Sequence, residues 1–141
     1  MIKIRTAKPE HRKFLLRLFC SLNNIVNVWL KYRNLSIIDE IIKNRQVKIA
    51  IDDNNVVIGA IVLVPRRESI YIGALIVKAS KRRMGVGRKL IKETIRKAKR
   101  QKKKYISVET AFGYKARGFY EKCGFYRTKT FSDCWSLSYK C

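Results

Sequence analysis

Arg82-Arg83-Met84-Gly85-Val86-Gly87 stands between two segments of different periodicity. The apolar run 70–77 before it predicts a strand, and the apolar stripe within 88–103 after it predicts a helix. A glycine-rich turn at a helix N-terminus presents several unpaired backbone N–H groups to one point, where the positive end of the helix dipole also attracts anions. Gly85 and Gly87 leave the backbone open to phosphate oxygens. The turn therefore predicts a pyrophosphate-binding site.

Length and composition indicate one domain, residues 1–141, because 47% of the 141 residues are hydrophobic and can form a core. No segment approaches the ~20 apolar residues that cross a bilayer, and residues 1–5 lack the apolar region of a signal peptide. We therefore expect a cytoplasmic protein without a membrane partner, either a monomer or a homodimer. The four cysteines lack C-x-x-C spacing and the single histidine is distant in sequence, so no metal site is expected.

The formal net charge of +23 comes from 33 basic and 10 acidic residues, and it attracts nucleic acid, acidic protein surfaces and phosphate ligands. The densest run of bases closes the helix that the glycine turn opens. Its members are Arg96, Lys97, Lys99, Arg100, Lys102, Lys103 and Lys104. Two interpretations stay open: a solvated helix face whose late cations suit the negative helix end, and a surface that contacts nucleic acid.

The periodicity along the chain predicts the element order β-α-α-β-β-β-α-β-α-β-β, a mixed α/β sheet. The second helical region runs from Val26 to Ile42, with a break near Asn34. Residues 71–110 form a βαβ unit, whose two strands should be parallel. Gly73 lies inside a predicted strand, where glycine marks a bulge or a close backbone approach. Gly124 is a candidate C-cap for the short helix before it.

A second segment makes the interpretation of the glycine turn more specific. Residues 116–125 read Ala-Arg-Gly-Phe-Tyr-Glu-Lys-Cys-Gly-Phe. The turn alone fits neither a Walker P-loop, since no Gly-Lys-Ser/Thr follows, nor the dinucleotide fingerprint, since Leu90 replaces the third glycine. Together the segments resemble the GNAT superfamily of acyl-CoA-dependent N-acetyltransferases. Residues 82–87 meet its pattern Arg/Gln-x-x-Gly-x-Gly/Ala, and residues 116–125 meet Ala-x-x-Phe/Leu-Tyr-x-x-x-Gly-Phe.

The resemblance implies an α/β fold with a mixed, mostly antiparallel central sheet. We expect about seven strands, a parallel pair at the cofactor cleft and about four flanking helices. It implies acetyl-CoA as co-substrate and no metal, with the pantetheine arm along residues 75–77 and the pyrophosphate on the amides of 83–88. The expected cofactor-binding residues are Leu75, Ile76, Val77, Arg82, Arg83, Met84, Gly85, Val86, Gly87 and Arg88. Gly113 departs from the family, which often has an asparagine there.

The implied reaction is direct attack of an amine on the thioester carbonyl. By the resemblance, Tyr120 is the general acid that protonates the departing sulfur. The alternative is a core aromatic residue with a satisfied hydroxyl, and the motif favours the catalytic role. Glu109, near the end of the preceding strand, is a candidate general base or a solvated strand residue. Glu68 and Tyr71 are alternative bases, and an amine of lowered pKa needs none.

The acceptor is the least constrained feature. A polyamine or aminoglycoside would be repelled by so basic a protein, so an amine of a protein, N-terminal or on a lysine, is the first hypothesis. An acidic partner or one associated with nucleic acid fits the charge best. The alternative function is a nucleic-acid-binding module on an acyltransferase fold, without turnover.

Overall fold

Eight strands and four α-helices occur in the computed structural model, which describes residues 1–21, 25–28, 30–111, 116–130 and 134–141. The strands are β1 (Lys3–Thr6), β2 (Ile25–Val28), β3 (Val47–Ile51), β4 (Val57–Pro65), β5 (Ser69–Val77), β6 (Tyr105–Ala111), β7 (Tyr126–Thr130) and β8 (Cys134–Lys140). The helices are α1 (Arg12–Cys20), α2 (Leu35–Lys43), α3 (Val86–Arg100) and α4 (Ala116–Lys122).

One sheet joins all eight strands in the order β1-β3-β4-β5-β6-β8-β7, with β2 paired to β5 beside this path. The β5–β6 pair is parallel, as predicted for the βαβ unit, and the other pairs of these strands are antiparallel. The predicted mixed, mostly antiparallel α/β fold is confirmed. The strand count exceeds the expected seven by β2.

Helices cover both faces of the sheet. α3 and α4 pack on one face, here the α3/α4 face, where Leu90 and Tyr120 join the core. α1 and α2 pack on the other, here the α1/α2 face, where Phe19 and Ile38 form a second core. Because β4 and β5 are covered on both sides, they read as nearly continuous apolar runs instead of alternating ones.

The predicted helix from Val26 is wrong in its first part, since Val26 lies in β2 and α2 begins only at Leu35. Residues 25–28 are Ile-Val-Asn-Val, and β-branched side chains favour a strand when an edge is available to pair with. The predicted break at Asn34 is confirmed. Its Oδ1 accepts hydrogen bonds from the N–H groups of Ser36 at 2.8 Å and Ile37 at 3.3 Å, which caps α2.

Gly73 meets both predictions made for it. Opposite β4, Val62 pairs with Ala74 and Leu63 with Ile72, so Gly73 is the extra residue of a β-bulge. A Cβ atom at this position would overlap the hydroxyl oxygen of the buried Tyr32. Glycine is therefore required at the bulge by the space that Tyr32 fills.

Substitution of Gly73 by alanine should destabilise the fold by about 1–3 kcal/mol, the usual cost of overpacking. Urea unfolding followed by circular dichroism measures the change. Adding Tyr32→Phe should restore part of the loss, because it removes the overlapping oxygen. Gly118→Ala is the matched control: a Cβ there meets nothing within 4 Å, so helix propensity should stabilise α4 by about 0.5–1 kcal/mol. Unchanged stability in Gly73→Ala would contradict the requirement for glycine beside Tyr32.

Candidate active site

The parallel strands β5 and β6 separate part of the way along their length. Their pairing runs only from Ser69 opposite Tyr105 to Ile72 opposite Val108. β5 continues to Val77 and β6 to Ala111 beyond that point. The bulge at Gly73 lies directly after the last pair, so the change in strand direction opens the sheet there.

The glycine turn lies at the far end of β5 and has the backbone that the sequence predicts. Arg83 (φ 64°) and Gly85 (φ 78°) are both left-handed, and Gly85 is the N-cap of α3 without a side-chain cap. Among the described residues, the N–H groups of residues 83–88 donate to no backbone carbonyl, and the first such bond is from Lys89 to Gly85 at 3.0 Å. These amides and the helix dipole form a nest for an anion.

The two glycines of the turn have different roles. A Cβ at Gly85 would meet nothing within 4 Å, so the backbone there is open to a ligand. A Cβ at Gly87 would lie 3.1 Å from the ring of Phe119, so this buried glycine lets α4 pack against the start of α3. The steric reason predicted for Gly87 is therefore replaced by a packing reason, while its amide remains part of the first turn.

The other predicted cofactor residues divide by exposure. The side chains exposed around the turn are those of Arg82, Arg83, Met84 and Arg88, whereas Val86 is buried in the core. Leu75, Ile76 and Val77 are buried in β5. Only their backbone groups can therefore bind a ligand. Gly113 lies outside the described residues.

β2 pairs with the part of β5 that borders the opening. Ile25 lies opposite Ile76, Asn27 opposite Leu75 and Val28 opposite Ala74. Two of the three predicted pantetheine-binding residues are thus in register with β2. This strand is absent from the predicted elements, and its only local signal is the β-branched composition of residues 25–28.

Tyr120 is fully buried on α4, within the core of the α3/α4 face. Its ring packs against Phe119 and Phe125, with both ring-centre separations 5.3 Å. The predicted C-cap at Gly124 is confirmed: with φ 98° it turns the chain so that the N–H of Phe125 donates to the carbonyl of Tyr120 at 3.0 Å. The position of Tyr120 is therefore fixed from both sides.

Glu109 is the first residue of β6 beyond its pairing with β5. Its neighbour Val108 packs in the core of the α3/α4 face, so strand alternation places Glu109 on the α1/α2 face. The side chain is half-buried, with Oε2 4.0 Å from the Sγ atom of Cys134. Glu109 and Tyr120 thus lie on opposite faces of the sheet.

The two alternative bases differ in their distance from the opening. Glu68 precedes β5, forms an ion pair with Lys104 at 3.0 Å, and is five residues from the bulge, about 16 Å at ~3.3 Å per residue. Tyr71 lies on the α1/α2 face like Glu109, because its neighbours Ile70 and Ile72 pack on the other. The guanidinium of Arg66 lies 4.4 Å from the centre of its ring. Tyr71 therefore remains near the opening, and Glu68 does not.

Cys123, the residue directly after α4, has the environment of a packing residue. Burial raises the pKa of the Cys123 thiol above its ordinary value, which the nearby positive charge of Arg88 only partly offsets. A raised pKa reduces the thiolate fraction, so this side chain is a poor nucleophile. In the described ranges, no three or more His, Cys, Asp or Glu residues group as metal ligands would, and no helix has the length and apolar character to cross a membrane.

The sequence profile of the acetyltransferase (GNAT) family matches residues 13–125. No curated protein matches the chain. Among solved structures, similar folds include the NatC complex bound to Gag peptide and CoA (23% identity, TM-score 0.79, covering 99% of this chain and 98% of that chain). The PaiA N-acetyltransferase from Thermoplasma acidophilum in complex with coenzyme A is 17% identical (TM-score 0.82, covering 100% and 99%). Ribosomal-protein-alanine N-acetyltransferase from Brucella melitensis is 20% identical (TM-score 0.81, covering 99% of each chain).

These structural similarities, all below 25% identity, establish the fold, and the profile match establishes the family. The chain belongs to the acetyltransferase (GNAT) family. The predictions of this family and of an acetyl-CoA-dependent N-acetyltransferase that uses acetyl-CoA as co-substrate are confirmed.

Gly85→Asn should weaken acetyl-CoA binding by about tenfold or more, ~1.4 kcal/mol. Asparagine tolerates a left-handed backbone, so the turn should keep its shape while the new side chain occupies the space that the diphosphate needs. Isothermal titration calorimetry measures the affinity, and thermal unfolding checks the fold. Gly118→Asn, at an exposed glycine of α4 with equally open space, should leave the affinity unchanged. Equal affinities in the two variants would contradict the nest assignment.

Proposed function

We propose that this acetyltransferase modifies a primary amine of a protein, at an N-terminus or a lysine, by direct attack on acetyl-CoA. In this proposal the diphosphate binds the amides of residues 83–88 and the pantetheine arm extends along residues 75–77. The observation that carries the proposal is the opening between β5 and β6. Glu109 follows the last β5–β6 pair on the α1/α2 face, Tyr120 lies in the core of the α3/α4 face, and β5 leads from the opening to the anion nest, which supports the proposal.

In the proposed chemistry, one proton is accepted on the α1/α2 face of the sheet and another is donated from the α3/α4 face. On the α1/α2 face, Glu109 accepts a proton from the amine, directly or through a water molecule, as the nitrogen bonds to the thioester carbon. A backbone N–H of residue 77 or a neighbour stabilises the oxyanion of the tetrahedral intermediate. When the carbon–sulfur bond breaks, Tyr120 donates its phenolic proton to the sulfur. Tyr71 is the alternative to Glu109 because it shares that face.

A protein acceptor is favoured by the positive charge on α4 and β7, which lie beside β8, the antiparallel neighbour of β6. The guanidinium of Arg117 on α4 lies 4.4 Å from the ring centre of Trp135 on β8. The next strand, β7, pairs with β8 and carries the exposed Arg127 and Lys129. Such a surface attracts an acidic peptide and repels a polyamine. The NatC complex bound to Gag peptide and the ribosomal-protein-alanine N-acetyltransferase, two proteins of this fold, act on or bind polypeptides by name, which supports the same choice.

Tyr120→Phe should lower kcat by ~10²–10⁴-fold, the usual contribution of a general acid. The phenyl ring retains the packing against Phe119 and Phe125, so the KM for acetyl-CoA and the thermal stability should change little. Release of CoA thiol from acetyl-CoA, with a peptide array supplying acceptors, measures the rate. Cys123→Ala, one turn away on the same segment, should retain full activity. An unchanged kcat in Tyr120→Phe would remove this residue from the mechanism.

The base is identified by the same assay. Glu109→Gln should lower kcat at neutral pH and recover activity as the pH rises, because bulk solvent then deprotonates the amine. Tyr71→Phe should not show this combination of low kcat at neutral pH and recovery at higher pH. The reverse pattern would transfer the role of base to Tyr71.

A second function, contact with nucleic acid, is favoured by a cluster that the linear sequence conceals. Arg45 follows α2, Lys48 lies in β3, and Lys97 and Arg100 lie on α3. Burial and then the positive charges of Lys48, Arg100 and Arg45 lower the pKa of Lys97. Repulsion of this kind is relieved when a phosphate binds. In this basic cluster, Lys97 and Arg100 of the predicted run are joined by two bases from elsewhere in the chain, Arg45 and Lys48.

Several other bases of the predicted run form ion pairs or hydrogen bonds within the protein. Arg96 pairs with Glu93 at 3.1 Å, Lys104 pairs with Glu68 at 3.0 Å, and the Nζ of Lys103 donates to the carbonyl of Arg66. The cluster lies toward the C-terminal end of the 15-residue α3, roughly 15–20 Å from the glycine turn at ~1.5 Å per residue. Acetyl transfer and nucleic-acid contact can therefore take place together.

Lys97→Glu/Arg100→Glu should weaken binding of a short single-stranded RNA or DNA and lower the slope of log K against log salt by about 0.7 per lost phosphate contact. Fluorescence anisotropy over a salt series measures both. Lys13→Glu/Lys43→Glu changes two exposed bases of α1 and α2 by the same total charge and should have a smaller effect. Equal losses in the two variants would mean that net charge alone attracts nucleic acid.

A further inference from the structure

The central strand β5 has two hydrogen-bonding edges, and both are used. β4 covers one edge from Gly59 opposite Val77 to Pro65 opposite Ile70. β6 and β2 share the other edge: β6 pairs with residues 69–72, and β2 pairs with residues 74–76. β2 thus occupies the half of this edge that borders the opening.

The cofactor placement proposed above needs the same half. A pantetheine arm along residues 75–77 bonds its amides to the outward N–H and C=O groups of that backbone. Neighbouring extended chains lie ~4.8 Å apart in the plane of a sheet, so one edge accepts one extended partner at a time. β2 and the pantetheine arm overlap at Leu75 and Ile76, and they cannot bind together.

β2 is the weaker of the two strands on this edge. It has four residues, its register shifts between Ile25 and Asn27, and within the described chain it pairs with β5 alone. β6 has seven residues, pairs with β8 at every one, and contributes Ile106 and Val108 to the core. A short strand with one neighbour has low local stability, so β2 separates from β5 more readily than β6 does.

The contacts that follow β2 can hold while β2 moves. Tyr32 is buried with its ring 6.2 Å from that of Phe19, and its hydroxyl fills the space over Gly73. Asn34 then caps α2. Tyr32, α2 and the bulge can therefore stay in position when β2 separates from β5.

We propose that β2 is a displaceable strand that competes with the pantetheine arm of acetyl-CoA for the edge of β5. The proposal rests on the cofactor placement of the proposed function. If only molecules with β2 released accept the cofactor, the apparent Kd equals the intrinsic Kd divided by the released fraction. The stability of a four-residue strand pair then sets the affinity for acetyl-CoA, and a partner that captures released β2 would activate the enzyme.

A reversible cross-link tests the competition directly. Val28 lies opposite Ala74, and opposite residues of antiparallel strands have Cα atoms ~4.5–5.5 Å apart, which suits a disulfide. Oxidised Val28→Cys/Ala74→Cys should bind acetyl-CoA at least about tenfold more weakly than the same protein reduced with dithiothreitol, by calorimetry. Ala74→Cys alone, with the same native thiols, should bind equally in both conditions.

The opposite change should tighten binding. Alternate residues of an antiparallel strand donate to the neighbour, so Asn27→Pro/Val28→Pro removes at least one donor to β5 and should lower the Kd. Hydrogen exchange gives an independent readout: acetyl-CoA should make the amides of residues 25–28 of the wild-type protein exchange faster, whereas ligands usually protect amides. Equal binding by the oxidised and reduced cross-linked variants, or slower exchange in β2, would overturn the competition alone. If the reduced cross-link variant and the wild-type protein both fail to bind acetyl-CoA, the cofactor placement is overturned as well.

Discussion

The bulge at Gly73 is the constraint on which the site depends. On its N-terminal side Ile72 faces the α3/α4 core, and on its C-terminal side Leu75 and Val77 do, so one extra residue shifts the phase of the strand. That shift ends the pairing with β6 and produces the opening. The hydroxyl of Tyr32, which precedes α2, lies where a Cβ atom at position 73 would be. The bulge at Gly73 and its contact with Tyr32 therefore stabilise each other.

In the proposed function, the two ends of α3 bind different ligands. At the N-terminus the diphosphate would meet the amides of the first turn and the positive end of the dipole, and Gly85 leaves the space beside that backbone open. At the C-terminus the backbone carbonyls are negative, and the bases there add a positive surface on side chains that extend beyond them. One helix therefore presents anion-binding groups at both ends, by backbone at one and by side chain at the other.

The sequence predicted the parts of the site that are local. The glycine turn, the helix of Tyr120 and the parallel pair follow from short motifs and from the distance along the chain between them. β2 was missed because four β-branched or polar residues fit the periodicity of a helix until the free edge of β5 is known. The contact of Tyr32 with Gly73 was missed because no local pattern links residues 41 positions apart, and the role of Arg45 was missed because its neighbour Lys97 is 52 positions away.

The contact between Gly87 and Phe119 has a mechanical consequence. Phe119 and Tyr120 are consecutive on α4 and their rings pack edge to face, so the glycine turn and the Tyr120 ring are linked through Phe119. A larger residue at position 87 would displace Phe119 and, with it, α4. Under the proposed mechanism, such a residue would slow proton donation by Tyr120 as well as weaken acetyl-CoA binding.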